Sequence, residues 1–101
     1  MSADEYLAEC RARQTMPQVN ELAARLQLAV SKFSNCFLGD VGERPSKYLK
    51  RRHVLDTIAV IKQTNLDYST IARMMGYGSR TTLYRSIRRV TGRTPQSFRR
   101  K

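Results

Sequence analysis

Apolar residues recur along this chain at three- and four-residue spacing, and no segment shows sustained two-residue alternation, so the pattern predicts helices and no strand. Residues 3–14 form a first short helix with Tyr6, Leu7 and Cys10 inward. Pro17 marks the start of a second, carrying Val19, Leu22, Ala23 and Leu26. Phe33 and Phe37 continue the pattern at i, i+4, and Gly42 suits the left-handed residue that stops a helix. Pro45 fits the first turn of a long helix reaching about Gln63. Its candidate buried positions are Tyr48, Leu49, Val54, Leu55, Ile58 and Ile61. Asp67 is a predicted N-cap, with Leu66 and Ile71 spaced as a hydrophobic staple. Ser79 caps a helix whose inner stripe is Leu83 and Ile87, and Gly92 ends it. Thr94 is expected to cap a last short helix with Pro95 first and Phe98 turned inward.

The pattern repeats. Ala23, Leu26 and Leu28 match Ala72, Met75 and Tyr77 at an offset of 49. After one extra residue, Gly78, the offset becomes 50, and Phe33, Phe37, Gly42, Pro45 and Tyr48 match Leu83, Ile87, Gly92, Pro95 and Phe98. Helical solenoids need three or more copies. Two copies joined by one long helix predict paired small units instead. The expected layout is an N-terminal helix or arm over 1–16, a first helix-turn-helix over 17–44, a linker helix over 45–64, and a second helix-turn-helix with a C-terminal helix over 65–101.

Charge adds a partner to this picture. Lys and Arg number 19 against 8 Asp and Glu, a formal net charge of +11, and 41% of the residues are hydrophobic, enough for a packed core. No acid follows Asp67, while Arg73, Arg80, Arg85, Arg88, Arg89, Arg93, Arg99, Arg100 and Lys101 do. A second basic cluster is Lys47, Lys50, Arg51 and Arg52. Such an excess points to a polyanion, nucleic acid first and an anionic membrane surface second. Cys10 and Cys36 lie far apart with one His in the chain, which leaves no metal site of the usual spacing and no disulfide framework. Cys36, inside an apolar helical pattern, is expected to be a small buried thiol. The chain shows no signal peptide and no apolar run of spanning length, and is expected in the cytosol at the nucleoid, with no membrane role.

A helix-turn-helix needs a short first helix, a tight turn and a second helix whose outer face reaches base edges. In the second copy Gly76-Tyr77-Gly78 supplies the turn. With Leu83 and Ile87 inside, Arg80, Thr81, Tyr84, Arg85 and Arg88 project outward, and the amides capped by Ser79 can hold a phosphate. Arg pairs with guanine O6 and N7, and Thr meets a thymine methyl or a phosphate. In the first copy Ser31, Lys32, Ser34, Asn35 and Leu38 face out, with Lys32 the one charge among them. That copy is expected to contribute less affinity, by positioning the protein on DNA or as a packing surface for another protein. Lys47, Lys50 and Arg51 suit phosphate contacts that fix register. His53 either joins them or is a partly buried imidazole. No acid–base pair, GxSxG or P-loop is present, so nothing supports catalysis and no cofactor is expected.

The ordered set of these residues resembles the DNA-binding domain of the AraC family of bacterial transcription regulators, from about Val19 to Arg100. It rests on Glu21-Leu22-Ala23, Phe33 with Phe37, Gly42, Pro45-Ser46-Lys47-Tyr48-Leu49, Leu66, Ile71-Ala72, Gly76-Tyr77, Ser79, Leu83, Arg85, Gly92, Thr94-Pro95 and Phe98-Arg99. The resemblance implies an all-α fold of about seven helices, two helix-turn-helix subdomains joined by a linker helix. Their recognition helices would enter successive major grooves roughly 34 Å apart, so that a monomer reads double-stranded DNA. The family's reading positions fall on Ser31, Ser34 and Asn35, and on Arg80, Thr81, Tyr84 and Arg85. Three departures weaken the first unit: Gln27 replaces the usual turn glycine, Ala29 the usual capping Ser, and Asn35 a common basic residue. The chain resembles the small stand-alone members, with RNA polymerase as a further partner. From Arg52-His53 to Val90 it also resembles the C-terminal domain of the replication initiator DnaA, through Arg73, Gly76 and Thr81-Thr82. That alternative implies an architectural or replication-associated protein with little sequence preference.

Overall fold

The computed structural model describes residues 2–99 as six α-helices and a closing 3-10 turn, with no strand among the described residues. The helices are α1 (Ala3–Arg13), α2 (Val19–Arg25), α3 (Val30–Val41), α4 (Pro45–Gln63), α5 (Tyr68–Met74) and α6 (Arg80–Thr91), and the turn is Pro95–Phe98. Arg100 and Lys101, part of the basic tail read from the sequence, lie outside the described residues.

The repeat is real in three dimensions. Helix α2 pairs with α3 as α5 pairs with α6. Gly42 and Gly92 both close their helices in the left-handed conformation, at φ 88° and 73°. Asp67 and Ser79 accept from the amides three residues on, Thr70 at 2.8 Å and Thr82 at 3.2 Å. Two apolar clusters result. Tyr6, Leu7, Cys10, Leu22, Ala23, Phe33 and Leu49 form one; Val54, Ile58, Ile61, Ile71, Ala72, Met75, Tyr77, Leu83 and Ile87 form the other. Helix α4 feeds both, Leu49 to the first and Val54, Ile58 and Ile61 to the second, so it fixes how the two pairs sit.

Several expectations are corrected. Leu55 is 47% exposed, because the stripe Leu49, Val54, Ile58, Ile61 already turns the inner face of α4 and Leu55 falls beside it. Cys36 is exposed and Cys10 is the buried thiol, since Phe33 and Phe37 occupy the inner face of α3. Helix α2 begins at Val19, two residues beyond Pro17. The Thr94 side chain makes no cap bond; its carbonyl accepts from the Ser97 hydroxyl at 2.6 Å instead. Leu66 stays 37% exposed.

The segment between α1 and α2 does more than connect. At Gly76, φ +79°, it passes so close that a Cβ there would lie 2.6 Å from the Met16 nitrogen and the Thr15 carbonyl carbon. Met16 packs on the second cluster, and Arg11 pairs with Asp56 of α4 at 2.6 Å. The N-terminal helix is thus built into the first cluster by Tyr6 and Leu7 and strapped to the second by Thr15 and Met16.

Candidate nucleic-acid interface

Helix α6 is sharply two-faced. Leu83 and Ile87 are fully buried, while Arg80, Thr81, Arg85 and Arg88 are exposed. Among the described residues none of the α6 arginines has an acid within ion-pair distance. The carboxylates are spent elsewhere: Glu9 on Arg13 and Arg25, Glu43 on Arg51, Asp4 on Arg52. Guanidinium groups left without an internal partner keep their full field for an outside anion.

Tyr84 is held more firmly than an outward reading residue needs to be. Its ring stands edge-on to Tyr68 with centroids 5.6 Å apart, and its hydroxyl accepts from the Gln96 amide. The Arg80 guanidinium lies 5.7 Å from the centre of the same ring, so the two side chains pack together on the outer face of α6. Ser79 caps that start, and its hydroxyl lies 3.0 Å from the Thr82 hydroxyl.

Helix α3 is differently made. Ser31, Lys32 and Asn35 are exposed and Ser34 is half-buried. Val30, Leu38 and Val41 add an exposed apolar flank. Residues 17–44 hold Arg25, Lys32 and Arg44 against Glu21, Asp40 and Glu43, a formally neutral unit, whereas the second unit has Asp67 as its one acid. The turn before α3 carries strain. Gln27 takes φ 57°, the conformation Gly76 supplies in the second copy, and Ala29 caps α3 with no side-chain bond. A non-glycine residue in that conformation costs about 1–2 kcal/mol, and a missing cap costs about 1 kcal/mol. Gln27→Gly with Ala29→Ser is therefore expected to raise the melting temperature by several degrees, about 4–8 °C per kcal/mol gained. Calorimetry checks it, and an unchanged melting temperature would show that the turn is relaxed as it stands.

On α4, Lys47 and Lys50 are exposed, and Arg51 is half committed. Arg51 meets Glu43 Oε1 at 2.5 Å and lies 5.5 Å from the Tyr48 ring centre, while Arg52 donates to the Tyr48 hydroxyl at 2.9 Å. His53 takes the buried alternative. It is 1% exposed, its Nε2 donates to the Met75 carbonyl at 2.7 Å, and burial pulls its pKa below the usual imidazole value. The donation fixes the neutral tautomer and ties α4 to the turn of the second unit, beside a bond between the Thr57 and Tyr77 hydroxyls at 2.9 Å. Arg99 closes the end of α4, reaching the Ile61 and Thr64 carbonyls at 3.4 and 3.3 Å.

The structure thus gathers Ser79, Arg80, Thr81, Tyr84, Arg85 and Arg88 on one helix, Lys47 and Lys50 on another, and Ser31, Lys32, Ser34 and Asn35 on a third. Arg89 counts in the sequence among the cations that follow Asp67 but not among the expected DNA contacts, although it follows Arg85 by one helical turn. It flanks a cleft between α4 and α6 with Lys50 and Arg85, and its spacing of four residues from Arg85 was the available signal.

Comparison with known proteins agrees with this architecture. Residues 22–101 match a family model described as a helix-turn-helix domain, covering both units and the Thr94-Pro95 tail that a likeness to DnaA leaves out. An HTH-type transcriptional regulator of Mycobacterium tuberculosis is 29% identical over 81% of this chain and 32% of its own length. A Streptomyces antibioticus protein named as an AraC-like transcription regulator is 31% identical over 80% of this chain and 27% of its own. The chain spans about a third or less of the length of these curated relatives. The solved DNA-binding domain of the transcriptional factor AdpA, in complex with a target DNA, superposes with a TM-score of 0.77 at 23% identity, over 94% of this chain and 86% of that one. With the family model spanning both helix pairs, this chain belongs to the AraC-type helix-turn-helix domain family.

Proposed function

We propose that the chain binds double-stranded DNA as a transcription regulator, with α6 in one major groove and α3 in the next on the same face. The observation that carries this is α6 itself, a helix whose arginines have no acid partner among the described residues, over a fully buried Leu83 and Ile87. The long axis of 44 Å accommodates two units spaced by one turn of DNA, roughly 34 Å, which favours binding as a monomer. Arg80, Thr81 and Arg85 are assigned to base edges and Ser79 and Arg88 to the backbone, with Tyr84 packed against Arg80. Lys47 and Lys50 hold phosphates, and Arg51 joins them when it leaves Glu43. In α3, Ser31, Ser34 and Asn35 touch bases weakly and Lys32 meets a phosphate. The neutral charge of this unit makes it the side open to a protein partner, for which RNA polymerase is the candidate. The reading is of a binding protein rather than an enzyme, acting at the nucleoid.

Selection from a random duplex library at about 150 mM salt tests it. A two-part motif with halves one helical turn apart is the expected result. A single short motif would mean that α6 reads alone, and binding without enrichment would replace this reading with an architectural one. Lys50→Ala is expected to weaken all sequences alike and to flatten the salt dependence by about one counterion, as a titration series in salt would show.

A further inference from the structure

Between α4 and α6 lies a cleft of about 260 Å³ that binding of DNA along α6 leaves unexplained. Its inner wall is made of buried groups, Val54, Tyr77 and His53, with Met16 beside them. At its edge stand three exposed cations, Lys50, Arg85 and Arg89. Because Nε2 of His53 donates to the Met75 carbonyl, Nδ1 is a bare acceptor, buried and without a partner among the described residues.

A hydrocarbon floor ringed by cations is poorly suited to a phosphate, which would meet donors at the mouth and desolvate against Val54 and Tyr77 for nothing. It suits a molecule with an apolar body and one anionic end: the body displaces water from the floor, and the anion takes paired bonds from a guanidinium. We propose that this cleft binds a small amphipathic carboxylate, an aromatic acid of one or two rings, with the ring against Met16, Val54 and Tyr77 and the carboxylate on Arg85 and Arg89. A second consequence rests on the DNA reading above. An occupant that engages Arg85 draws it from its base edge, so ligand and DNA compete.

The test uses the full chain, isotope-labelled, titrated without DNA and followed by its amide resonances. Naphthoate is the probe, with neutral naphthamide and inorganic phosphate as the comparisons. Naphthoate is expected to saturate one site per chain, moving the amides of Tyr77, Ser86 and Arg89, with naphthamide at least about tenfold weaker. Ser86→Leu, which fills the cleft from α6, should abolish saturation, and the exposed Arg89→Gln should weaken it about tenfold should the first variant not fold. Equal binding of acid and amide, or phosphate binding in preference to naphthoate, overturns the proposal. Naphthoate should then lower the DNA affinity of the unaltered protein but not that of Ser86→Leu. Saturation with no loss of DNA affinity overturns the competition through Arg85. A chain that takes naphthoate and never binds DNA overturns the DNA reading instead, and leaves the cleft assignment standing.

Discussion

Gly76→Ala is expected to destabilise the protein by roughly 2–5 kcal/mol, far more than the same change at Gly78. Both glycines take the left-handed conformation, at φ 79° and 82°, so both substitutions carry the same backbone cost of about 1–2 kcal/mol. The surroundings separate them. A Cβ at Gly78 meets nothing within 4 Å, whereas at Gly76 it meets the Met16 nitrogen and Thr15 carbonyl carbon at 2.6 Å and the Thr15 Cα at 2.9 Å. Those neighbours are backbone and have no rotamer in which to escape. Either the strap lifts, taking Met16 from the second cluster, or the turn shifts and disturbs the bond from His53 to the Met75 carbonyl. Thermal unfolding of the two variants side by side checks this. At about 4–8 °C per kcal/mol, the gap between their melting temperatures should be easily resolved. Equal losses would show that the strap does not press on the turn.

That contact also marks where sequence reasoning stops. The helices and most of their ends were legible because their causes are local: Asp67 and Ser79 cap with their own side chains, and Gly42 and Gly92 stop with their own backbones. The repeat carried the architecture, since a pattern at offsets of 49 and 50 can only mean two copies of one packing solution. Periodicity failed where a helix offers more apolar residues than its inner face holds. Leu55 and Cys36 are both apolar enough to be buried, and both lose their places to better-aligned neighbours. The approach of Thr15 and Met16 to Gly76 joins residues some sixty apart in sequence, with no local signature beyond a glycine that a turn already explains.

The candidate interface divides in the same way. That Arg80, Thr81, Arg85 and Arg88 face out follows from Leu83 and Ile87 facing in, which spacing alone decides. Which cations are free to act does not. Arg51 and Arg52 read as Lys47 and Lys50 do, but Glu43, Asp4 and Tyr48 hold them. Tyr84 reads as an outward residue, yet it is braced by Tyr68 and Gln96. The two choices left open from the sequence, a phosphate contact or burial for His53, were settled by the core around α4 and not by its neighbours in the chain.

Arg85→Ala is expected to remove sequence preference at one base step while leaving the fold untouched. The side chain is exposed and makes no ion pair among the described residues, so its loss should change stability by no more than about 0.5 kcal/mol. On DNA the loss should be larger. A guanidinium bonded to both acceptors of a guanine is worth about 1–3 kcal/mol of discrimination, whereas a phosphate contact contributes equally on every sequence. A double cycle separates the two. The unaltered protein and the variant are each titrated on the selected duplex and on one carrying a changed base pair at the proposed step. If Arg85 reads that base, the changed pair weakens the unaltered protein and costs the variant nothing further. If Arg85 serves only a phosphate, the two losses add. Should the variant keep both the affinity and the preference of the unaltered protein, α6 meets DNA with another face, and the assignments of Arg80 and Thr81 fall with it.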